Sequence, residues 1–92
     1  MIYKIVLAEE AEKQLMLWRK SGAKKDLQKI LNLFEELKSH PQTGTGQVEA
    51  LKGNLLGYWS RRINKHYRMI YSIDDATVTV EVVSMHGHYG DK

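Results

Sequence analysis

Glu49, Lys52, Arg61, Arg62, Arg68, His88 and Tyr89 follow one another through the second half of a 92-residue chain, and together they suit the cutting of RNA without a metal. RNA carries its own nucleophile, the 2′-hydroxyl beside the scissile phosphate. A catalyst has to deprotonate that hydroxyl, stabilise the charge added to phosphorus and protonate the departing 5′-oxygen. In this set Glu49 would be the base, the arginines the clamp and His88 the acid. A carboxylate is a weak base toward a hydroxyl, so proton removal must be concerted with neutralisation by neighbouring cations, and guanidinium forks fit the equatorial oxygens of a phosphorane. Histidine is the side chain that exchanges protons near neutrality. A phenol titrates near pH 10, about three units too high for unaided proton transfer, so the roles open to Tyr89 are stacking on a base, orienting the phosphate or assisting the proton transfer.

Each residue also has a plainer reading. Glu49, between Val48 and Ala50, fits a solvated charge partnered by Lys52, and any of the arginines fits a surface cation, Arg61 most readily. Adjacent residues of a strand point to opposite faces, so at most one of Arg61 and Arg62 can share a surface with Arg68. Lys52 is a weaker phosphate contact or a substrate-positioning group. His66 and His86 invite a metal, but no carboxylate accompanies them at ligand spacing and the chemistry needs none, so neither metal nor cofactor is expected. Trp18, Tyr58, Trp59, Tyr67 and Tyr71 read as core or interface residues, and alternation turns Trp59 away from Arg62, to packing or to a subunit contact.

The elements that must hold this set are legible from periodicity. Met1 to Leu7 reads as a strand. Ala8 to Lys20 has Ala11, Leu15 and Trp18 at helical spacing, and Glu9, Glu10 and Glu12 suit the first turn. Leu27, Ile30, Leu31, Phe34 and Leu37 form an apolar stripe on a second helix that Pro41 stops near His40. The short Ser21-Gly22 break between two amphipathic helices predicts an αα-hairpin lying on a sheet. Gln42 to Gln47 is a polar loop that delivers Glu49. Leu56 to Ile63, Tyr67 to Ile73 and Thr77 to Met85 alternate in the strand manner, with turns at Asn64-Lys65-His66 and Asp74-Asp75-Ala76. The expected fold is α+β, with both helices on one face of a small, mainly antiparallel sheet. A three-residue Asn64 turn sets Arg62 opposite Arg68, and a two-residue turn separates them, so register decides whether the clamp exists.

With 42% hydrophobic residues, the chain can close one core, and a single domain over residues 1–92 is expected. Cysteine is absent, which excludes disulfides, thiolate metal sites and a cysteine nucleophile. No apolar run approaches the roughly 20 residues of a spanning helix, and the opening residues lack a basic leader, so a membrane is not an expected partner. The net charge is +3, but Lys52 to Arg68 holds five Lys or Arg and no acid, a segment on which a polyanion would land.

The run V-E-A-L-K-G-N-L-L-G-Y-W-S-R-R-I-N-K-H-Y-R-M-I-Y from Val48 to Tyr71, with G-H-Y at Gly87-His88-Tyr89, resembles the YoeB (Txe) family of bacterial toxin endoribonucleases in the RelE/ParE superfamily. The resemblance extends from the opening strand to Tyr89, and the chain departs from the pattern by running on through Gly90-Asp91-Lys92. It implies a RelE/ParE-like, microbial-RNase-like fold and a toxin of a type II toxin-antitoxin pair. By resemblance that toxin cuts mRNA in the A site of the 70S ribosome by metal-free transesterification and stops translation. The catalytic residues it implies are Glu49 as general base, Arg68, His88 as general acid and Tyr89; Arg62, Lys52 and Arg61 would bind the phosphate. The implied partners are mRNA, the ribosome, a YefM-like antitoxin and a second copy in a homodimer, in the bacterial cytoplasm. The alternatives are a ParE-like toxin that inhibits gyrase by contact and a generic RNA-binding domain, neither of which needs Glu49, Arg68 and His88 together.

Overall fold

The structure, a computed structural model, describes the backbone of residues 1–87 and the side chains of residues 1–85. In chain order it comprises β1 (Lys4–Leu7), α1 (Glu9–Lys20), α2 (Lys24–Ser39), β2 (Glu49–Ala50), a 3-10 turn (Gly53–Leu55), β3 (Tyr58–Arg62), β4 (Tyr67–Asp74) and β5 (Thr79–Gly87). The strands form one mixed sheet in the order β1-β5-β4-β3-β2, in which β1 runs parallel to β5 and the remaining neighbours are antiparallel.

Local chemistry accounts for the helices. Glu9, Glu10 and Glu12 occupy the positive end of α1 and Arg19 and Lys20 its negative end. The chain reverses at Gly22, whose φ of +80° is left-handed, and the Ser21 hydroxyl donates to the Trp18 carbonyl while accepting from the Ala23 N–H. The second helix gives out at His40, whose extended φ of −134° is what a residue before proline adopts. Both helices cover one face of the sheet. Ala11 and Leu15 of α1 and Ile30, Leu33 and Leu37 of α2 meet Met69, Tyr71, Val80, Val82 and Met85 in a single core.

Three boundaries and one helix position differ from the sequence expectation, each for a local reason. The first strand begins at Lys4, because only from there does β5 offer a partner, and Met1 and Ile2 stay exposed. Leu31 stands 37% exposed while Leu33 is buried. A helix turns about 100° per residue, which carries Leu31 to the margin of a stripe centred on Ile30, Leu33 and Leu37. The third strand starts at Tyr58 after the 3-10 turn and Gly57, whose φ is +97°. The last turn falls on residues 75–78, starting one residue and ending two residues later than expected. There the Asp74 carboxylate accepts from the amides of Ala76 and Thr77, and Val78 takes a left-handed φ of +50° instead of continuing the expected Thr77 to Met85 strand.

Candidate active site on the sheet face away from the helices

The register of β3 decides which side chains can act together. Ile63 donates its N–H to the Tyr67 carbonyl at 2.9 Å, leaving Asn64-Lys65-His66 as a three-residue loop. The Asn64 carboxamide oxygen braces that loop by accepting from the amides of His66 and Tyr67. Arg62 is consequently opposite Arg68, Ser60 opposite Ile70, and Glu49 opposite Ser60. Side chains directly paired on an antiparallel ladder share a face, so Glu49, Ser60, Arg62 and Arg68 all project from the side without helices. The Arg68 guanidinium reaches the Ser60 hydroxyl at 3.5 Å, a long contact that ties the pairs together. Diagonal neighbours on such a ladder lie about 7–8 Å apart, which puts Glu49 within one phosphodiester of Arg62.

The electrostatics of this face are unbalanced. Two guanidinium groups sit across from each other, where like charges repel. Among the described residues neither forms an ion pair, and neither do Glu49 and Lys52 with each other. An exposed carboxylate beside two half-buried guanidinium groups can take a proton from a hydroxyl and hold the anion that results. Lys52 is exposed beyond the end of β2, at the entry to the 3-10 turn.

Arg61 requires a correction. Its side chain is fully buried, facing the helices, so no phosphate can reach it. The guanidinium is used in the interior: Nε donates to the Tyr71 hydroxyl at 3.0 Å, NH1 to Glu36 at 2.7 Å and to the Thr45 carbonyl, and NH2 to the carbonyls of His40 and Thr43. Burial would raise the Glu36 carboxyl, but the Thr45 amide and hydroxyl bonds, with the charges of Arg61 and Lys29, outweigh it and hold Glu36 below the ordinary range. Burial pushes the Tyr71 phenol up, partly offset by Arg61. Glu36 and Tyr71 as partners of Arg61 had no signal in the sequence, since they lie on α2 and β4 while Arg61 lies on β3.

His88 and Tyr89 lie outside the described residues. The backbone of β5 leads to them with His86 opposite Arg68 and Gly87 opposite Tyr67. Near that end β1 no longer covers the outer edge of β5, and α1 takes over: Gln14 accepts the Met85 N–H at 2.5 Å and the Trp18 indole donates to the Met85 carbonyl at 3.1 Å. Trp59 packs against the core, as alternation implied.

Two helices on one face of a mixed five-stranded sheet form the fold of the RelE- and YoeB-type toxins. Residues 7–89 match the YoeB-like toxins of bacterial type II toxin-antitoxin systems. The toxin YoeB of Synechocystis sp. is 41% identical over 73 residues, covering 79% of this chain and 83% of its own. A YoeB/ParE toxin from Agrobacterium tumefaciens superposes with a TM-score of 0.86 at 31% identity, covering 94% of this chain and 99% of its own. The Staphylococcus aureus YoeB, also 31% identical, is solved as a dimer (TM-score 0.82) and in a heterotetrameric complex with YefM (TM-score 0.80), covering 97% of this chain and 100% of its own in both. The chain belongs to the YoeB-like toxin family.

Proposed function

We propose that this toxin is a ribosome-dependent endoribonuclease that cuts mRNA in the A site and so stops translation. The observation that carries the reading is the register that aligns Glu49 with Ser60 and Arg62 with Arg68 on one face. Glu49 takes the proton of the 2′-hydroxyl as its oxygen attacks phosphorus. Arg62 and Arg68 hold the equatorial oxygens of the phosphorane, with Lys52 as an outlying contact. The P–O5′ bond then breaks, and the leaving oxygen takes a proton from His88, with Tyr89 orienting the phosphate. The products are a 2′,3′-cyclic phosphate, which water can open to a 3′-phosphate, and a free 5′-hydroxyl.

A domain of this size has little surface for reading base sequence, so the ribosome supplies much of the substrate positioning, and the basic segment contacts ribosomal RNA as well as message. Neutralisation follows from the same charge. A YefM-like antitoxin, with an acidic segment that orders on binding, covers the cationic face. A second copy of the toxin is a further partner, as in the Staphylococcus aureus dimer. No helix among the described residues is long and apolar enough to cross a membrane, and the site of action is the bacterial cytoplasm.

The test is a translating extract with a defined message, new 5′ ends being mapped by primer extension. The wild-type chain is expected to give ribosome-dependent cuts. Glu49→Gln should weaken them by about a hundredfold or more. Arg68→Ala should remove about 2.7–4 kcal/mol of transition-state stabilisation, roughly the same loss. If translation stops without cuts, the toxin acts by contact and the nuclease reading is wrong.

A further inference from the structure

Residues 40–48 form a polar, glycine-bearing segment with no regular structure, yet they have to present Glu49 opposite Ser60 to within a fraction of an ångström for proton transfer. A free loop of that composition could not do so. What holds it is Arg61. The carbonyls of His40, Thr43 and Thr45 all turn inward onto its guanidinium, and the Pro41 carbonyl accepts from Tyr71, the same hydroxyl that receives Arg61 Nε. Glu36 closes the assembly from α2, accepting from Arg61 and from both the amide and hydroxyl of Thr45. The last link is backbone: Gly46 accepts the Arg62 N–H at 2.5 Å, and its missing side chain lets the loop pass over the Arg61 stem, where a Cβ would come within 3.3 Å. Three residues later the chain pairs with β3.

We infer that Arg61 is a positioning residue for RNA cleavage: buried on the opposite face from the reacting atoms, it sets the geometry of Glu49 through the loop folded around its guanidinium. This rests on the reading of Glu49 as the base. Five directional donors are needed to hold carbonyls that approach from several sides, and a lysine ammonium keeps the charge but not the fork. A group acting through Glu49 should alter the rate of the chemical step, leave substrate affinity in place, and lose its effect once Glu49 cannot accept a proton.

The full chain is compared with Arg61→Lys, and with Tyr71→Phe as the milder variant should the first not fold, in single-turnover cleavage of a defined message on programmed ribosomes. Each is made alone and in the Glu49→Gln background. The expected result is a fall of about tenfold or more in kcat with KM within about twofold, and a change of less than about threefold when Glu49 is already Gln. An equal loss in both backgrounds, a rise in KM with kcat unchanged, or wild-type rates in folded variants would overturn the positioning role while Glu49 keeps its own. If the wild-type chain cuts nothing, the nuclease reading falls and this role falls with it.

Discussion

Arg61 and Arg62 are the same residue type at adjacent positions, and they meet opposite fates. One is fully buried and satisfied by five oxygens; the other stands half-buried across from Arg68 with no carboxylate partner among the described residues. The buried cation is tolerable because Glu36 neutralises it and carbonyls complete its hydrogen bonds. The opposed pair costs stability that a bound anion would relieve. Arg62→Gln should therefore stabilise the fold by about 0.2–1 kcal/mol in low salt, read as a slightly higher thermal midpoint, while cleavage falls; a drop in the midpoint would show that Arg62 has a stabilising partner. Glu36 gives a prediction of its own. Its folded-state value lies below the ordinary 4.5, so its contribution to stability is complete above pH 4.5 and drains away as the pH falls through the folded value. Urea denaturation across that range should show a loss of stability in the wild type that is absent in Glu36→Gln, and matching slopes would remove Glu36 from the account.

At the scale of the element, the unit that matters is the loop over residues 40–48. Its glycines are placed where side chains would collide with the assembly that holds it. Gly44 has a φ of +115°, and a Cβ there would lie 2.7 Å from the Glu36 carboxylate and 2.9 Å from the Arg61 guanidinium. Gly44→Ala should destabilise the protein by about 1–3 kcal/mol through left-handed strain and the displaced ion pair. It should also slow cleavage, because the loop that carries Glu49 is moved. Denaturation and cleavage assays on the same preparation check both, and an unchanged rate would mean that the loop does not set the position of Glu49. The two-residue β2 has only one neighbour and cannot fix itself, which is why the loop before it has to be held from the interior. The last strand is held by the same means, since the side chains of Gln14 and Trp18 satisfy the Met85 backbone where β1 has ended.

For the whole molecule, the sheet divides two tasks. One face builds the core with both helices, and the other carries Arg62 and Arg68, which form no ion pair among the described residues. Binding to RNA should weaken with salt, and Lys52→Gln should reduce the slope of log affinity against log salt by about 0.7, the value for one phosphate contact on a single strand. An unchanged slope would place Lys52 away from the nucleic acid.

Much of this was determined by the sequence alone. Periodicities of about 3.6 and 2 residues are local, so both helices, the three hairpin strands and the inward residues Ala11, Leu15, Ile30 and Leu37 could be read directly, as could the basic segment and its resemblance to YoeB toxins. Leu33, Val78 and the parallel seat of β1 could not, because they depend on which flank of a helix meets the sheet, how a turn closes and which strand is free to pair. The same limit held at the site. Alternation says that Arg61 and Arg62 part company, but only the side on which the helices pack decides which is buried. Whether Arg62 meets Arg68 hangs on a turn of three residues, and what holds Glu49 in place depends on Glu36 and Tyr71, respectively 25 and 10 residues from Arg61. A guanidinium's partners are chosen by proximity in space, and proximity of that kind exists only once the core has closed.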